Sequence, residues 1–346
     1  MRPRHPLALA ATCLALLSSA LAADPAAPAD AQLNPRGRAI LAWFQQLQAA
    51  PELRLVSGQF AGWSGTASIG ELGRIHEATG RWPAMIGLDY CGWNEGEAII
   101  AVRHPNELAR EYWQAGGLVN LSWHAPNPGK PEGGGLKERG IKLADVLKPG
   151  ATHDRWMKSL DEVATALEEL QQAGVVVIWR PLHEMNGAWF WWGAQEPADF
   201  IALWRHMFDY FTHTRKLHNL IWAFGPNHGQ KPADLYYPGD AYADLVGLDA
   251  YTDHINPDKI LGFERFAKIK KPIGLTEFGP HGASNPPGDY DFRRLLDGIQ
   301  KHFPQLRHFL VWNEKWNPAS NKFAKEFYTD PRVITRESLP PGLAGD

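Results

Sequence analysis

Cysteine is nearly absent from this sequence. Only Cys13 and Cys91 occur among 346 residues, and Cys13 falls in an N-terminal stretch that is expected to be removed. A single remaining thiol cannot form an internal disulfide, which excludes the class of small disulfide-stabilised domains. The sequence therefore predicts a fold that is stabilised by a large hydrophobic core.

That N-terminal stretch, residues 1–22, has the organisation of a secretory signal peptide. Arg2 and Arg4 precede an apolar run at 7–17, and the stretch ends in Ala-Leu-Ala. The run is too short to span a bilayer, and the small residues after it match a cleavage site. The sequence thus predicts a secreted or periplasmic protein, with a flexible segment at 23–34 and one folded domain at 35–346.

An excess of charge of either sign is also missing. The chain has 35 Lys and Arg against 38 Asp and Glu, and loss of Arg2 and Arg4 with the signal peptide makes the balance about −5. Such a chain has no excess of positive charge with which to bind a polyanion. Nucleic acid and membrane surfaces are therefore not expected as partners.

Three common catalytic motifs are absent. No G-x-G-x-x-G follows an early strand, no serine stands in G-x-S-x-G, and position 187, four after His183, is glycine rather than the second histidine of H-E-x-x-H. These absences argue against a doubly wound sheet, a serine nucleophile and a catalytic zinc, respectively. We expect no cofactor and no metal.

Tryptophan, in contrast, is abundant. The chain has 15 tryptophans, and residues 189–192 read WFWW. This group follows a β-branched strand at 175–178 and the polar residues Arg180, His183 and Glu184, which together indicate a pocket for a flat, hydroxylated ligand. The alternative is that Glu184 caps the next helix and the tryptophans only fill the core.

Strands and helices alternate along the whole chain. The predicted strands are 53–59, 84–89, 118–123, 175–178, 220–224, 245–249, 272–276 and 309–312. The predicted helices are 35–49, 69–79, 106–114, 153–173, 197–214, 257–268, 290–302 and 318–328, with a long irregular region at 125–151. Eight such pairs without a linker predict an α/β fold, a single (β/α)8 barrel, rather than a doubly wound sheet with an added domain.

Polar side chains follow the predicted strands, where a barrel of this kind places its active site. Glu184 follows the fourth strand and Glu277 the seventh, so the two should face each other across the barrel mouth. Glycosidic cleavage needs one carboxyl to protonate the leaving oxygen and another to act at the anomeric carbon. A direct nucleophile would put the carboxyls about 5 to 5.5 Å apart, and an inverting pair about 6.5 to 9.5 Å apart.

The neighbours of the two glutamates suggest their roles. Glu184 lies between a histidine and the aromatic group, where desolvation raises a carboxyl pKa and favours the acid form. Glu277 can accept a hydrogen bond from Tyr251 and interact with Arg180, and both contacts favour an ionised nucleophile. His124 and His183 also follow strand ends, although either could be a buried core histidine.

Five motifs give the chain a family resemblance. They are WRPLHEMNGAWFWWG at 179–193, TEFG at 276–279, LSWH at 121–124, GLDAY at 247–251 and VWN at 311–313. With them the chain resembles the β-mannanases of glycoside hydrolase family 26 over nearly all of its mature length. The first motif is highly specific, whereas TEFG alone would be weak.

The resemblance implies a retaining enzyme with a clan A barrel, in which Glu184 is the acid/base and Glu277 the nucleophile. It also implies that no catalytic cofactor is needed. By the same resemblance His183 occupies a position that related families usually give to asparagine. The implied substrate-binding or supporting residues are His124, Arg180, His183, Trp189, Asp249, Tyr251 and Trp312.

The implied partner is β-mannan polysaccharide or a manno-oligosaccharide, bound by a monomer. The family also contains β-1,3-xylanases and mixed-linkage glucanases, so the resemblance does not fix the sugar. A transglycosylase acting through the same intermediate, and a non-catalytic carbohydrate-binding barrel, are further alternatives. The presence of both glutamates argues against the binding barrel, since a binder needs no matched acid and nucleophile.

Overall fold

The computed structural model describes residues 27–91, 102–280 and 288–345. Eight parallel strands form a closed barrel in which each strand pairs with its neighbours in sequence and β8 pairs with β1. The predicted (β/α)8 barrel is confirmed, and the doubly wound alternative is wrong. The strands are β1 Leu55–Trp63, β2 Met85–Cys91, β3 Leu118–His124, β4 Val177–Pro181, β5 Leu220–Phe224, β6 Leu245–Tyr251, β7 Ile273–Gly279 and β8 Leu306–Val311.

Helices surround the barrel, and the first of them shows how the local sequence determines where a helix begins. Helix α1 starts at Pro35, whose fixed φ suits a first helical position, and the Asn34 side chain caps it by accepting from Gly37 N at 2.7 Å. The described helices are α1 Pro35–Ala49, α2 Gly70–Thr79, α3 Arg103–Gln114, α4 Leu143–Val146, α5 Ala151–Gln172, α6 Pro197–Asp209, α7 Phe263–Phe266, α8 Arg293–His302 and α9 Ala324–Thr329. Of the helices described, none is both long and apolar enough to cross a bilayer.

Many of the tryptophan side chains are buried in the core. Among the described residues seven tryptophans are fully buried; these are Trp123, Trp156, Trp179, Trp191, Trp192, Trp204 and Trp222. Trp123 stacks with Trp156 at 5.5 Å between ring centroids. The core-filling alternative is therefore correct for Trp191 and Trp192, whereas Trp189 is only partly buried.

Two predicted helices differ from the structure. In place of a helix at 257–268 there is only the four-residue α7, because Gly262 has φ +86°, which a right-handed helix cannot include. In place of a helix at 318–328 there is a 3-10 turn and then α9, and Phe323 between them has φ +62°. A short strand β9, Val333–Ile334, pairs with β1 and was not predicted.

The N-terminal segment also differs from its prediction. Residues 23–34 were expected to be a flexible lead-in, but from Ala29 the chain is held against the barrel. Ala29 N donates to Asp244 Oδ1 at 2.7 Å, Asp30 pairs with His218 at 2.8 Å, and Leu33 is buried. The predicted signal peptide and the start of the lead-in lie outside the described residues.

The long irregular region at 125–151 packs beside the segment that follows β4. Arg139 Nη1 donates to Ala188 O at 2.6 Å, and Trp191 N donates to Leu136 O at 2.9 Å. These hydrogen bonds hold the long loop against the segment 188–191, which includes Trp189. The loop therefore forms one wall of the barrel mouth.

Candidate active site

The sequence-predicted polar residues converge on the carboxyl ends of the strands. Arg180 lies in β4, Asp249 and Tyr251 in β6, and Glu277 in β7 rather than after it, because β7 runs on to Gly279. Asp249 is the direct register partner of Glu277 on the neighbouring strand. Four side chains from distant parts of the sequence thus share one buried region.

The chain turns sharply after β4, and this turn presents Glu184. Leu182 has φ +47° and Glu184 has φ +54°, conformations that side-chain-bearing residues rarely adopt. Glu184 N donates to Gly225 O at 2.8 Å, which ties the turn to the end of β5. Backbone of this kind costs on the order of 1–3 kcal/mol per residue and is concentrated at functional sites.

Both carboxyl oxygens of Glu184 have a hydrogen-bond donor. Trp189 Nε1 donates to Oε2 at 2.6 Å, and Asn227 Nδ2 donates to Oε1 at 2.6 Å. Burial, and then the charge of Glu277, raise the pKa of Glu184 to about 7, although the two donors act in the opposite direction. Glu184 can therefore be protonated or ionised near neutral pH, as an acid/base must be.

Glu277 has different neighbours. Tyr251 donates its hydroxyl to Oε2 at 2.8 Å, and the Arg180 guanidinium donates to Oε1. His183 Nε2 lies 3.6 Å from the same Oε1. One cation and one phenol therefore donate to this carboxyl, whereas both donors to Glu184 are neutral side chains.

Arg180 is fully buried and joins two carboxylates. Besides Glu277 it contacts Asp249, with Nη1 2.9 Å from Oδ2. The other oxygen of Asp249 accepts from Thr276 Oγ1 at 2.7 Å. Asp249 therefore orients the guanidinium, and the guanidinium orients Glu277.

The two histidines lie at the site, edge to face. Their ring centroids are 4.4 Å apart with the planes at 90°. His124 Nδ1 lies 2.8 Å from Asp89 Oδ2, which fixes its ring. Burial, followed by the charge of Arg180, lowers the pKa of His183 well below the ordinary value, so His183 is neutral.

Aromatic side chains form the remainder of the rim. Trp312 stacks on Phe60 with centroids 3.8 Å apart, and Trp63 lies 6.2 Å from Trp312. On another side Trp316 meets the ring of Tyr251 edge-on at 5.6 Å. Trp312 therefore lies on the β8–β1 side of the mouth, beside two other aromatic residues.

Sequence reasoning missed several of these neighbours. Asn227, Phe60, Trp63 and Trp316 were not singled out as site residues. Trp63 ends β1, and Gly-Pro-Asn directly after β5 was the available signal for Asn227. A search for aromatic and polar residues at strand ends would have identified Trp63 and Asn227, but not the residues that they contact.

Within the described residues two groups could offer metal ligands, namely Asp89 with Cys91 and His124, and His183 with Asp249 and Glu277. In the second group the Arg180 guanidinium already bonds both carboxylates. In the first, Asp89 and His124 bond each other. Both groups are therefore accounted for by contacts within the protein.

Comparison with known proteins agrees with this geometry. A sequence model of glycosyl hydrolase family 26 matches residues 29–338. The chain is 34% identical to mannan endo-1,4-beta-mannosidase A and B of Caldalkalibacillus mannanilyticus, over 95% of this chain and 66% of that protein. It therefore spans about two thirds of that relative's length.

Two solved structures are also similar. The Bacillus subtilis mannanase BCman has a TM-score of 0.85 and 32% identity, with 92% of this chain and 98% of that chain covered. A β-mannanase from a symbiotic protist of the termite Reticulitermes speratus, complexed with gluco-manno-oligosaccharide, has a TM-score of 0.74 and 26% identity, with 91% and 98% covered. The chain belongs to glycosyl hydrolase family 26.

Proposed function

We propose that this chain is a retaining endo-β-1,4-mannanase that cleaves internal bonds of mannan, glucomannan or galactomannan. The observation that carries the proposal is the contrast between two carboxyls at one site. Glu184 has a pKa of about 7 and neutral donors, whereas Glu277 contacts a cation and a phenol. Double displacement needs this pairing of a protonated acid with an ionised nucleophile.

The reaction proceeds in two steps. Glu277 attacks the anomeric carbon while Glu184 transfers its proton to the departing glycosidic oxygen, which breaks the bond and leaves a glycosyl ester on Glu277. Glu184, now ionised, takes a proton from water, and the resulting hydroxide displaces Glu277 from the sugar. Arg180 and Tyr251 hold Glu277 in place throughout.

The remaining site residues bind the sugar. The apolar faces of pyranose rings stack on indole rings, which suits Trp189 and Trp312 to line the cleft. His124 and His183 present ring N–H groups or nitrogen acceptors to hydroxyls, and Asp249 acts through Arg180. The names of the related enzymes point to β-1,4-mannan as the backbone that this cleft accepts.

Incubation with mannan, glucomannan, β-1,3-xylan and lichenan, with products resolved by size, tests the substrate. We expect mannobiose and mannotriose from the first two. Preferential cleavage of xylan or lichenan would assign another specificity of the family. Activity on none of the four would favour a carbohydrate-binding barrel.

Azide rescue tests the roles of the glutamates. With an aryl β-mannoside that has a good leaving group, Glu277→Ala plus azide should give a glycosyl azide of inverted configuration. Glu184→Ala plus azide should give the retained configuration, because azide then intercepts the ester on Glu277. Exchange of these two outcomes would reverse the assignment.

We also infer that the protein is exported and acts as a monomer. Export is supported by the signal-like residues 1–22 and by the substrate, since a polysaccharide must be met outside the cytoplasm. N-terminal sequencing of the secreted protein should start near Ala23. Size-exclusion chromatography with light scattering should give the mass of one chain.

A further inference from the structure

Asn186 lies two residues after Glu184 and is buried. Its side chain bonds the loop that follows β5. Oδ1 accepts from Asn227 N at 2.8 Å, and Nδ2 donates to Asn227 O at 2.7 Å and to Lys231 O at 2.9 Å. The amide thus uses three of its four hydrogen-bonding capacities on one loop.

The residue that Asn186 holds is a partner of Glu184. Asn227 Nδ2 donates to Glu184 Oε1 at 2.6 Å. Glu184 and Asn186 share one tight turn, which Gly187 closes by donating to Glu184 O at 2.9 Å. One turn therefore carries both the carboxyl and the side chain that clamps the donor to this carboxyl.

Two other hydrogen bonds hold the residues that flank Asn227, whereas Asn186 holds the backbone of Asn227 itself. Asp249 N donates to Pro226 O at 2.9 Å, and His228 N donates to Asp249 O at 3.0 Å, so β6 fixes the residues on either side of Asn227. Asn186 bonds both the N–H and the C=O of Asn227 itself. A cavity of about 160 Å³ adjoins Asn186 and Asn227 and gives a released Asn227 room to turn away.

We propose that Asn186 is a positioning residue of the active site: by clamping the loop after β5 onto the turn that carries Glu184, it aims the Asn227 amide at Glu184 Oε1. The proposal rests on the assignment of Glu184 as acid/base. Asn186 acts only through Asn227. Its removal should therefore reproduce the loss of the Asn227 amide.

The expected effect follows from the direction of the hydrogen bond. An N–H donor stabilises the ionised carboxylate, so release of Asn227 should raise the pKa of Glu184. In Asn186→Ala we expect the titration midpoint of Glu184 to rise by about one pH unit. The midpoint can be followed by carbon NMR of protein labelled at the glutamate carboxyls, with the Glu184 signal assigned by its loss in Glu184→Gln.

Two further variants separate positioning from general damage. Asn227→Ala should give the same shift, and the double variant Asn186→Ala with Asn227→Ala should shift no further. Asn219 is a matched control, because it is a buried amide at the opposite end of β5 that donates to Val175 O at 3.0 Å. Asn219→Ala should lower thermal stability without moving the Glu184 midpoint.

An unmoved midpoint in Asn186→Ala, or a double variant whose shift is the sum of the two, would overturn the proposal. If Asn186→Ala does not fold, Asn186→Leu replaces it, since leucine has a similar shape and no charge but can neither donate to nor accept from Asn227; no upward shift there would be equally fatal. The NMR readout needs no substrate. An inactive parent protein would therefore refute the proposed function, while the titration decides the role of Asn186.

Discussion

Tyr251 donates its phenolic hydroxyl to Oε2 of Glu277 across 2.8 Å. Burial, followed by the negative charges of Glu277 and Glu184, raises the pKa of Tyr251 well above its ordinary value. The phenol therefore stays protonated at neutral pH and acts as a fixed donor. Because the two residues come from neighbouring strands β6 and β7, the barrel sets the geometry of this hydrogen bond.

Loss of this donor should reduce turnover. Tyr251→Phe keeps the ring against Trp316 and removes only the hydroxyl. A hydrogen bond to a charged group contributes about 1.5–3 kcal/mol, which corresponds to a fall in kcat/KM of roughly 10- to 150-fold. Tyr237 donates to Asp240 Oδ1 at the same 2.8 Å, so Tyr237→Phe is the matched control and should retain parental kcat/KM.

Arg180 should be essential to stability as well as to activity. It is fully buried between Asp249 and Glu277, so Arg180→Met leaves two buried carboxylates without their cation. Breaking a buried pair in this way typically costs about 3–5 kcal/mol. Urea denaturation at pH 7 should show a loss of that size in the free energy of unfolding.

Arg332 provides the control, because it also bridges two carboxylates but at the surface. It contacts Asp330 at 2.8 Å and Asp297 at 3.3 Å, and the Asp297 side chain is 71% exposed. Arg332→Met should cost about 1 kcal/mol or less, as is usual for solvated pairs. Equal losses in the two variants would show that burial of the Arg180 network is not what stabilises the barrel.

The pH profile should report the state of Glu184. In the proposed mechanism bond cleavage requires the protonated form of Glu184, so kcat/KM should fall above a midpoint of about pH 7. Trp189→Phe keeps an aromatic ring but removes the N–H that lies 2.6 Å from Glu184 Oε2. Because this donor favours the carboxylate, its loss should move the alkaline limb upward by about one pH unit.

Trp191 offers a comparison for this experiment. Its Nε1 donates to Ala125 O at 2.9 Å rather than to a carboxyl. Trp191→Phe should therefore leave the alkaline limb where it is in the parent. A limb that stays in place in Trp189→Phe would contradict the role given to the indole N–H.

Much of the barrel could be predicted from the sequence, because alternating strands and helices are local patterns. The prediction for β5, 220–224, agrees with the structure at both ends, and α1 does as well. The rule that barrel sites lie at strand ends predicts from the sequence alone that Glu184 and Glu277 lie at one site. The catalytic roles of the two residues stay predictions until variants are measured.

The remainder depended on contacts between distant residues. Asn227 bonds Glu184, and Asn186, 41 positions before Asn227, bonds its backbone; no local pattern encodes either contact. The predicted helix at 257–268 failed for a different reason. Its hydrophobic spacing was compatible with a helix, but the left-handed backbone of Gly262 interrupts it.

Glu184 should also make the fold less stable as pH rises. Its pKa is raised from 4.5 to about 7 in the folded protein. Between these values the folded state binds a proton that the unfolded state has released. The free energy of unfolding therefore falls through this window, and above pH 7 the ionised carboxylate destabilises the fold by on the order of 3 kcal/mol.

Glu184→Gln removes this titration. At pH 4 the variant should be the less stable protein. Both oxygens of Glu184 accept a hydrogen bond, from Trp189 and from Asn227, and the NH2 group of glutamine cannot accept one of these two bonds. The difference in the free energy of unfolding, variant minus parent, should then rise by on the order of 3 kcal/mol between pH 4 and pH 8. Urea denaturation of both proteins across this range measures it, and Glu264→Gln, at an exposed position, should give a flat difference. A difference that is independent of pH for Glu184→Gln too would mean that burial does not raise the pKa of Glu184. The proposed role of Glu184 as the acid would then lose its physical basis.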